Sequence, residues 1–190
     1  IAMPPAECIE LGAGTGRMAL ALMQHWPLLT RYVATDLPQR VAAIVAASSS
    51  KEHRHLQSRL CATPLTWGER PLSPLLSSAG TYLVLLADLI YFSGKDLLEP
   101  DTLEPLADTL KLALAHPRAV AVFAYRERDP EREAHFCAIC EARGMQVDTA
   151  LLDAATLAAL LPESEQHDVE RSLPLKIWRL TERGTAVGPE

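Results

Sequence analysis

Residues 8–16 read Cys8-Ile9-Glu10-Leu11-Gly12-Ala13-Gly14-Thr15-Gly16. A short apolar run ends at an acid, three alternate glycines follow, and an amphipathic stretch comes next, from Arg17 to Trp26. This order predicts a buried strand, a tight turn and the start of a helix. Glycine accepts positive φ and has no Cβ, so a ligand can approach its backbone closely, and the free N–H groups at a helix start can face that ligand. The stretch therefore indicates a site for a nucleotide-like cofactor.

The size and charge of the chain limit what it can be. Its 190 residues suit one domain, which we place at 1–183, with 184–190 as a loose tail. A chain of this length buries about 70% of its unfolded surface, and 48% hydrophobic residues are enough for a core. The net charge of −6 argues against a nucleic-acid partner. It suits weak attraction to a basic partner, such as a lysine-bearing protein surface.

Cysteine usage and apolar runs bear on the compartment. The four cysteines, Cys8, Cys61, Cys137 and Cys140, do not form the framework of a small secreted protein. We therefore expect a reducing compartment, the cytoplasm or alternatively the nucleus. No apolar run reaches the roughly 18 residues of a membrane span. We expect no membrane partner and a monomer. Because residue 1 is not methionine and the first strand follows almost at once, we also expect that N-terminal sequence has been lost.

Strands and helices are predicted to alternate along the chain. Predicted strands cover residues 7–11, 31–35, 57–62, 81–87, 120–125, 145–151 and 175–180. Predicted helices cover residues 15–25, 38–47, 97–115 and 130–143, with a short one over 153–161. The continuous apolar run of 82–87 is typical of a central parallel strand that is buried on both faces. The alternation predicts an α/β fold, a Rossmann-like doubly wound sheet with helices on both faces.

The spacing of the glycines indicates which cofactor binds. The dinucleotide fingerprint is G-x-G-x-x-G, whereas Gly12, Gly14 and Gly16 give G-x-G-x-G, with Glu10 two residues earlier. The pyrophosphate of NAD needs several converging amides, while a cofactor without phosphates needs only close approach. The spacing therefore favours S-adenosylmethionine over NAD. The alternative is a tight turn without a ligand.

Two residues downstream could complete such a site. Asp36 ends the second predicted strand, where an acid can bind ribose hydroxyls in doubly wound sheets; the alternative is that it caps the next helix. Trp67, in the loop after the third predicted strand, could cover an adenine ring or could simply pack against the core.

A second group follows the central strand, in Ala87-Asp88-Leu89-Ile90-Tyr91-Phe92. Ligands of such sheets bind at the carboxyl ends of the strands. An acid and aromatic rings at this position could surround an amine. The alternative is a strand-end cap, Asp88, beside two half-buried rings.

A metal site is not expected. His135, Cys137 and Cys140 provide only one thiol pair on one predicted helix, with no second pair at zinc-finger spacing.

Four segments resemble the seven-β-strand S-adenosylmethionine-dependent methyltransferases, and within them the methyltransferase-like protein lysine methyltransferases with an Asp-x-x-Tyr motif. The segments are Glu10-Leu11-Gly12-Ala13-Gly14-Thr15-Gly16, Thr35-Asp36-Leu37-Pro38, Leu65-Thr66-Trp67-Gly68 and Ala87-Asp88-Leu89-Ile90-Tyr91. Arg126-Glu127-Arg128 before a helix with Phe136 is also similar. The order agrees from about residue 7 to 150. The glycine loop is common to all such enzymes, whereas the Trp-Gly and Asp-x-x-Tyr segments are specific to a much smaller group of them.

The resemblance implies a class I methyltransferase sheet with an antiparallel last strand, and it implies roles for residues. Glu10, Gly12, Gly14 and Gly16 would line the amino-acid end of S-adenosylmethionine. Asp36 would hold its ribose and Trp67 its adenine, with Ala87 beside the cofactor. Asp88 and Tyr91 would border the target amine as catalytic residues.

The resemblance therefore implies methylation of a lysine ε-amine in a partner protein. Two alternatives remain at this stage. One is a methyltransferase that acts on a small molecule or on histidine. The other is a catalytically silent binding module with the same fold.

Overall fold

One mixed sheet organises the molecule. The computed structural model describes residues 6–51, 53–69, 72, 81–90, 101–116, 118–151 and 175–183. Their strands are β1 (Ala6–Leu11), β2 (Leu29–Asp36), β3 (Leu60–Pro64), β4 (Thr81–Ala87), β5 (Ala119–Arg126), β6 (Met145–Leu151) and β7 (Leu175–Glu182). The strand order is β3-β2-β1-β4-β5-β7-β6. Strands β1 to β5 pair in parallel, and β7 runs antiparallel to both β5 and β6. The predicted doubly wound, mostly parallel sheet with an antiparallel last strand is confirmed.

Helices cover both faces of this sheet because its strands are apolar on both sides. The helices are α1 (Arg17–His25), α2 (Pro38–Ser48), α3 (Leu103–Leu114) and α4 (Pro130–Ala142). Cys8 of β1 belongs to a core with residues of α1 and α2. Ile9, the next residue, belongs to the core on the other face, with residues of α3 and α4. This alternation follows from the period of two along a strand.

An aromatic cluster fastens β7 and α4 to the end of β5. Phe123 and Tyr125 of β5 lie 5.7 and 4.7 Å from the ring of Trp178 on β7, measured between ring centroids. Phe136 of α4 stacks on Trp178 at 6.2 Å. All four side chains are buried. The cluster therefore fixes the position of the chain after β5, and residues of this segment belong to the candidate site.

Several predicted boundaries differ from the structure, and at three of them the structure shows the reason. Helix α3 begins at Leu103 instead of residue 97, and a carboxylate oxygen of Asp101 accepts the Leu103 N–H at 3.1 Å there. Strand β3 covers Leu60–Pro64 instead of 57–62, because the chain before it forms a 3-10 turn over Arg54–Leu56. Helix α1 starts two residues late, since Gly16 has a left-handed backbone.

Some predictions fall outside the described residues: the short helix over 153–161, the tail over 184–190, and Tyr91. Among the described helices, none combines the length and the hydropathy that crossing a bilayer requires.

Candidate functional site

The predicted site residues that the structure describes meet at one edge of the sheet. Strands β1 and β4 are neighbours, and the strand order changes direction between them. Ligands of open α/β sheets bind beside the carboxyl ends of the strands at such a point. The glycine loop follows β1, Asp36 ends β2, and Asp88 follows β4. The fold thus brings three separate stretches of sequence to the same end of the sheet.

The glycine loop is held in a tight turn. Its three glycines have φ values of 69°, 58° and 74°, and the Gly16 N–H donates to the Ala13 carbonyl at 2.8 Å. A Cβ on Gly12 would lie 2.7 Å from Leu89 Cδ2, and one on Gly16 would lie 2.9 Å from Ile44 Cγ2. A Cβ on Gly14 would meet no atom of the described residues within 4 Å. Packing within the protein therefore requires two of the glycines, and Gly14 borders open space.

Asp36 ties the end of β2 to this loop. One carboxylate oxygen accepts the Gly14 N–H at 2.6 Å, and the other accepts the Leu37 N–H at 2.7 Å. Leu37 is the N-cap of α2, and no side chain caps that helix. Asp36 is therefore not a helix cap. Each carboxylate oxygen can accept two hydrogen bonds, so the described residues leave one acceptor position on each oxygen.

Trp67 is carried to the glycine loop by a turn that is anchored on α3. The Gly68 N–H donates to Thr109 Oγ1 at 2.9 Å, and Gly68 has a φ of 83°. The half-buried indole packs against the core, and its Cζ2 would lie 3.3 Å from a Cβ on Gly12. Trp67 thus packs against the core and also borders the glycine loop.

Glu10 lies beneath the loop as a buried acid. Its side chain is on the α1–α2 face of the sheet, and the residue is 2% exposed. The Tyr32 hydroxyl donates to a Glu10 carboxylate oxygen at 2.8 Å. Burial raises the pKa of Glu10 to about 7; the Tyr32 hydrogen bond opposes this shift, and the charge of Asp36 adds to it. At neutral pH this carboxyl is therefore close to its titration midpoint.

Asp88 is bound to an arginine. It has a φ of 55°, and its N–H donates to the Ala124 carbonyl of β5 at 2.8 Å. Two guanidinium nitrogens of Arg128 donate to its two carboxylate oxygens, each at 2.6 Å. These bonds hold the pKa of Asp88 below its ordinary value, although partial burial acts in the opposite direction. Asp88 is therefore an acceptor that stays ionised, which makes it a poor base.

The residues at the end of β4 contact different parts of the structure. Ala87 ends β4 and pairs with Ala124 of β5. Asp88 binds a residue that follows β5, whereas the side chain of Leu89 packs beside Gly12. The chain after β4 therefore connects the glycine loop with the carboxyl end of β5.

A family model for lysine methyltransferases matches residues 2–142. The chain belongs to the lysine methyltransferase family. The protein is thus a methyltransferase, and its cofactor is S-adenosylmethionine, as the glycine spacing predicts. The matched range includes the glycine loop, Asp36, Trp67, Asp88 and Arg128. No curated protein matches the chain in a sequence search.

Solved methyltransferase structures share the fold. The methyltransferase domain of a bacterial Hen1 protein has a TM-score of 0.59 at 12% identity, covering 92% of this chain and 89% of that one. A protein from Galdieria sulphuraria assigned as a sarcosine dimethylglycine methyltransferase has a TM-score of 0.57 at 12% identity, covering 95% and 80%. An O-methyltransferase of neocarzinostatin biosynthesis, solved with S-adenosylmethionine, has a TM-score of 0.58 at 13% identity, covering 93% and 48%.

The residues present fit S-adenosylmethionine. Gly14 leaves space beside the loop, Asp36 retains an acceptor position on each oxygen, and the Trp67 ring borders Gly12. These residues suit a ligand with ribose hydroxyls and a flat ring. The roles of all the predicted site residues remain predictions: Glu10, Gly12, Gly14, Gly16, Asp36, Trp67, Ala87, Asp88 and Tyr91.

The thiols of α4 have no metal-binding partners among the residues that the structure describes. Within the part of the chain that the structure describes, no three His, Cys, Asp or Glu side chains group so as to hold a metal ion. Burial raises the pKa of Cys137 to about 11 and that of Cys140 to about 12. Both thiols are therefore protonated at neutral pH.

Sequence reasoning assigned no role to Tyr32 or Arg128. Tyr32 lies on β2 and pairs with Cys8 of β1, so its ring shares a face with Glu10. A buried tyrosine hydroxyl usually needs a partner, and this was a usable signal. Arg128 follows β5, the neighbour of β4, and its side chain could have been placed near Asp88 once that order was known.

Replacing Glu10 with glutamine should change how stability depends on pH. Between pH 4.5 and 7 the folded methyltransferase holds a proton on Glu10 that the unfolded chain releases, so its stability falls as pH rises through this window. The full effect is about 3 kcal/mol. Urea unfolding at pH 4.5 and pH 8 should therefore show that Glu10→Gln gains stability relative to wild type as pH rises.

Two observations check the cause. In Tyr32→Phe the hydroxyl that opposes the raised pKa is removed, so the upper end of the window should move to higher pH. A stability difference between Glu10→Gln and wild type that is the same at every pH would contradict the assignment.

Proposed function

We propose that the protein methylates the ε-amine of a lysine in a partner protein. The observation that carries the proposal is the position of Asp88, which follows the central strand β4 at the edge where the glycine loop follows β1. Membership of the lysine methyltransferase family supports it. In this proposal Glu10, Gly14, Asp36 and Trp67 bind the cofactor, and Asp88 borders the amine. Tyr91 has the second catalytic role, as predicted from the sequence.

The chemistry needs a neutral amine. A free lysine has a pKa near 10.4 and is mostly protonated at pH 7, so the ammonium first gives a proton to water. The amine lone pair then forms the N–CH₃ bond while the S–CH₃ bonding pair stays on sulfur, and the product releases its extra proton to solvent. Orienting the amine can contribute roughly 7–11 kcal/mol.

Asp88 contributes to this step by position. Its carboxylate accepts a hydrogen bond from the amine N–H, which aims the lone pair away from Asp88. Because its pKa is lowered by Arg128, Asp88 keeps this acceptor role at neutral pH without taking the proton.

A labelling experiment tests the substrate class. The purified protein is incubated with a cell lysate and S-adenosylmethionine that carries a labelled methyl group, next to Asp36→Ala as the control for cofactor binding. The proposal predicts a discrete labelled protein band with wild type and none with the variant. Label in small molecules alone would indicate a small-molecule methyltransferase. Cofactor binding without any transfer would indicate a silent binding module.

A further inference from the structure

The Asp88 carboxylate, which we propose binds the amine, already accepts hydrogen bonds within the protein. Arg128 occupies both oxygens of Asp88 in a bidentate pair. A carboxylate has about four acceptor positions. Arg128 takes two of these positions, and the other described residues leave the remaining two open to a substrate N–H.

The Asp88–Arg128 ion pair contributes little to the stability of the fold. The side chains of Arg128 and Asp88 are 43% and 46% exposed, and an ion pair so open to water adds little to folding. Yet Asp88 has a left-handed backbone, which costs free energy in a residue other than glycine. A residue in a costly conformation at the carboxyl end of a central strand is a mark of function.

The backbone of Arg128 is fixed on both sides. Its predecessor, Glu127, forms an ion pair with Lys176 of β7. Its successor, Asp129, is the N-cap of α4 and accepts the Arg132 N–H at 3.0 Å. Because both neighbours are anchored, the guanidinium is held toward β4 before any ligand binds. Such preorganisation is expected of a residue that supports a reacting group.

We propose that Arg128 is a positioning residue for the methyl acceptor: it aligns Asp88 and offsets its negative charge, so that Asp88 can bind a neutral amine without holding an ammonium ion. This rests on the proposed function. A lone carboxylate beside a lysine favours the charged ammonium, which has no lone pair to methylate. A carboxylate that is neutralised by a guanidinium exerts much less of that effect and still accepts a hydrogen bond.

The charges around Asp88 agree with this assignment. The charged groups that act on it most strongly, Arg126 and Arg128, come from the end of β5 and the loop that follows. On the side of β1, the acid Glu10 is coupled to Asp36. Arg126 provides a matched control, because it is an exposed arginine two residues away from Arg128. Among the described residues, only Arg128 donates side-chain hydrogen bonds to Asp88.

The first test needs neither cofactor nor substrate. The Asp88 carboxyl is titrated by carbon-detected NMR in wild type, Arg128→Ala and Arg126→Ala. The pKa of Asp88 should rise toward its ordinary value in Arg128→Ala and change less in Arg126→Ala. Equal titration of Asp88 in wild type and Arg128→Ala would overturn the proposal.

The second test follows methyl transfer to the labelled substrate against pH. In Arg128→Ala the rising limb of the rate–pH profile should shift to higher pH by about one unit. This shift is about a tenfold loss of rate at pH 7. Arg128→Lys restores the charge and should move the limb back, and Arg126→Ala should move it less than Arg128→Ala does. A limb that does not move in Arg128→Ala would overturn the role of charge. If wild type methylates no lysine, the proposed function fails, and the NMR titration still decides whether Arg128 controls Asp88.

Discussion

Replacing Asp88 with alanine should abolish methyl transfer and leave S-adenosylmethionine binding intact. The variant loses the acceptor that orients the amine, and it leaves the charge of Arg128 without its partner. Removal of one oriented hydrogen-bonding group from a reaction centre costs about 100- to 1,000-fold in rate. We expect a loss of that size in the initial rate of label transfer, with an unchanged dissociation constant by calorimetry.

A second variant separates chemistry from backbone strain. Asp88 has a φ of 55°, which alanine tolerates less well than asparagine does. Asp88→Asn should therefore unfold in urea as wild type does, yet transfer more slowly, because a neutral amide is a weaker acceptor. Transfer at the wild-type rate by Asp88→Ala would show that the assigned role is wrong.

Replacing Asp36 with alanine should have the opposite pattern and weaken cofactor binding. The carboxylate holds the Gly14 N–H at 2.6 Å, and it is the predicted partner of the ribose hydroxyls. Hydrogen bonds to a charged group contribute about 1.5–3 kcal/mol each, so the loss of one or more should reduce affinity by about 10- to 100-fold. Calorimetric titration with S-adenosylmethionine measures this directly.

Asp148→Ala is the matched control for Asp36→Ala. Asp148 is an exposed carboxylate on the edge strand β6, where it accepts a hydrogen bond from Gln146. Its removal changes the net charge by the same amount. We expect unchanged affinity for S-adenosylmethionine in this variant. Equal affinities in Asp36→Ala and Asp148→Ala would remove Asp36 from the cofactor site.

The fold was predictable wherever local pattern and burial agree. The apolar run before Asp88 predicts β4 with the bounds that the structure shows, because a strand buried on both faces needs apolar residues throughout. The start of α3 was not predictable from its leucine period, which continues before residue 101. There the helix begins only after Asp101, whose carboxylate binds the Leu103 N–H.

The candidate site was predictable in its parts and not in its pairings. The spacing of Gly12, Gly14 and Gly16 predicts the turn and the cofactor. The bond from Gly14 to Asp36 and the pair of Asp88 with Arg128 depend on which strands are neighbours. Local patterns do not encode strand order, so only the contacts of Asp36 could exclude the interpretation that it caps α2.

The most direct test of lysine methylation is mass spectrometry of the protein band that the wild-type enzyme labels. The modified peptide is fragmented, and the added methyl group is assigned to an atom. We expect the group on the ε-nitrogen of a lysine, with its signal lost when Asp88→Ala replaces wild type. A methyl group on histidine, or label confined to small molecules, would contradict the proposed function.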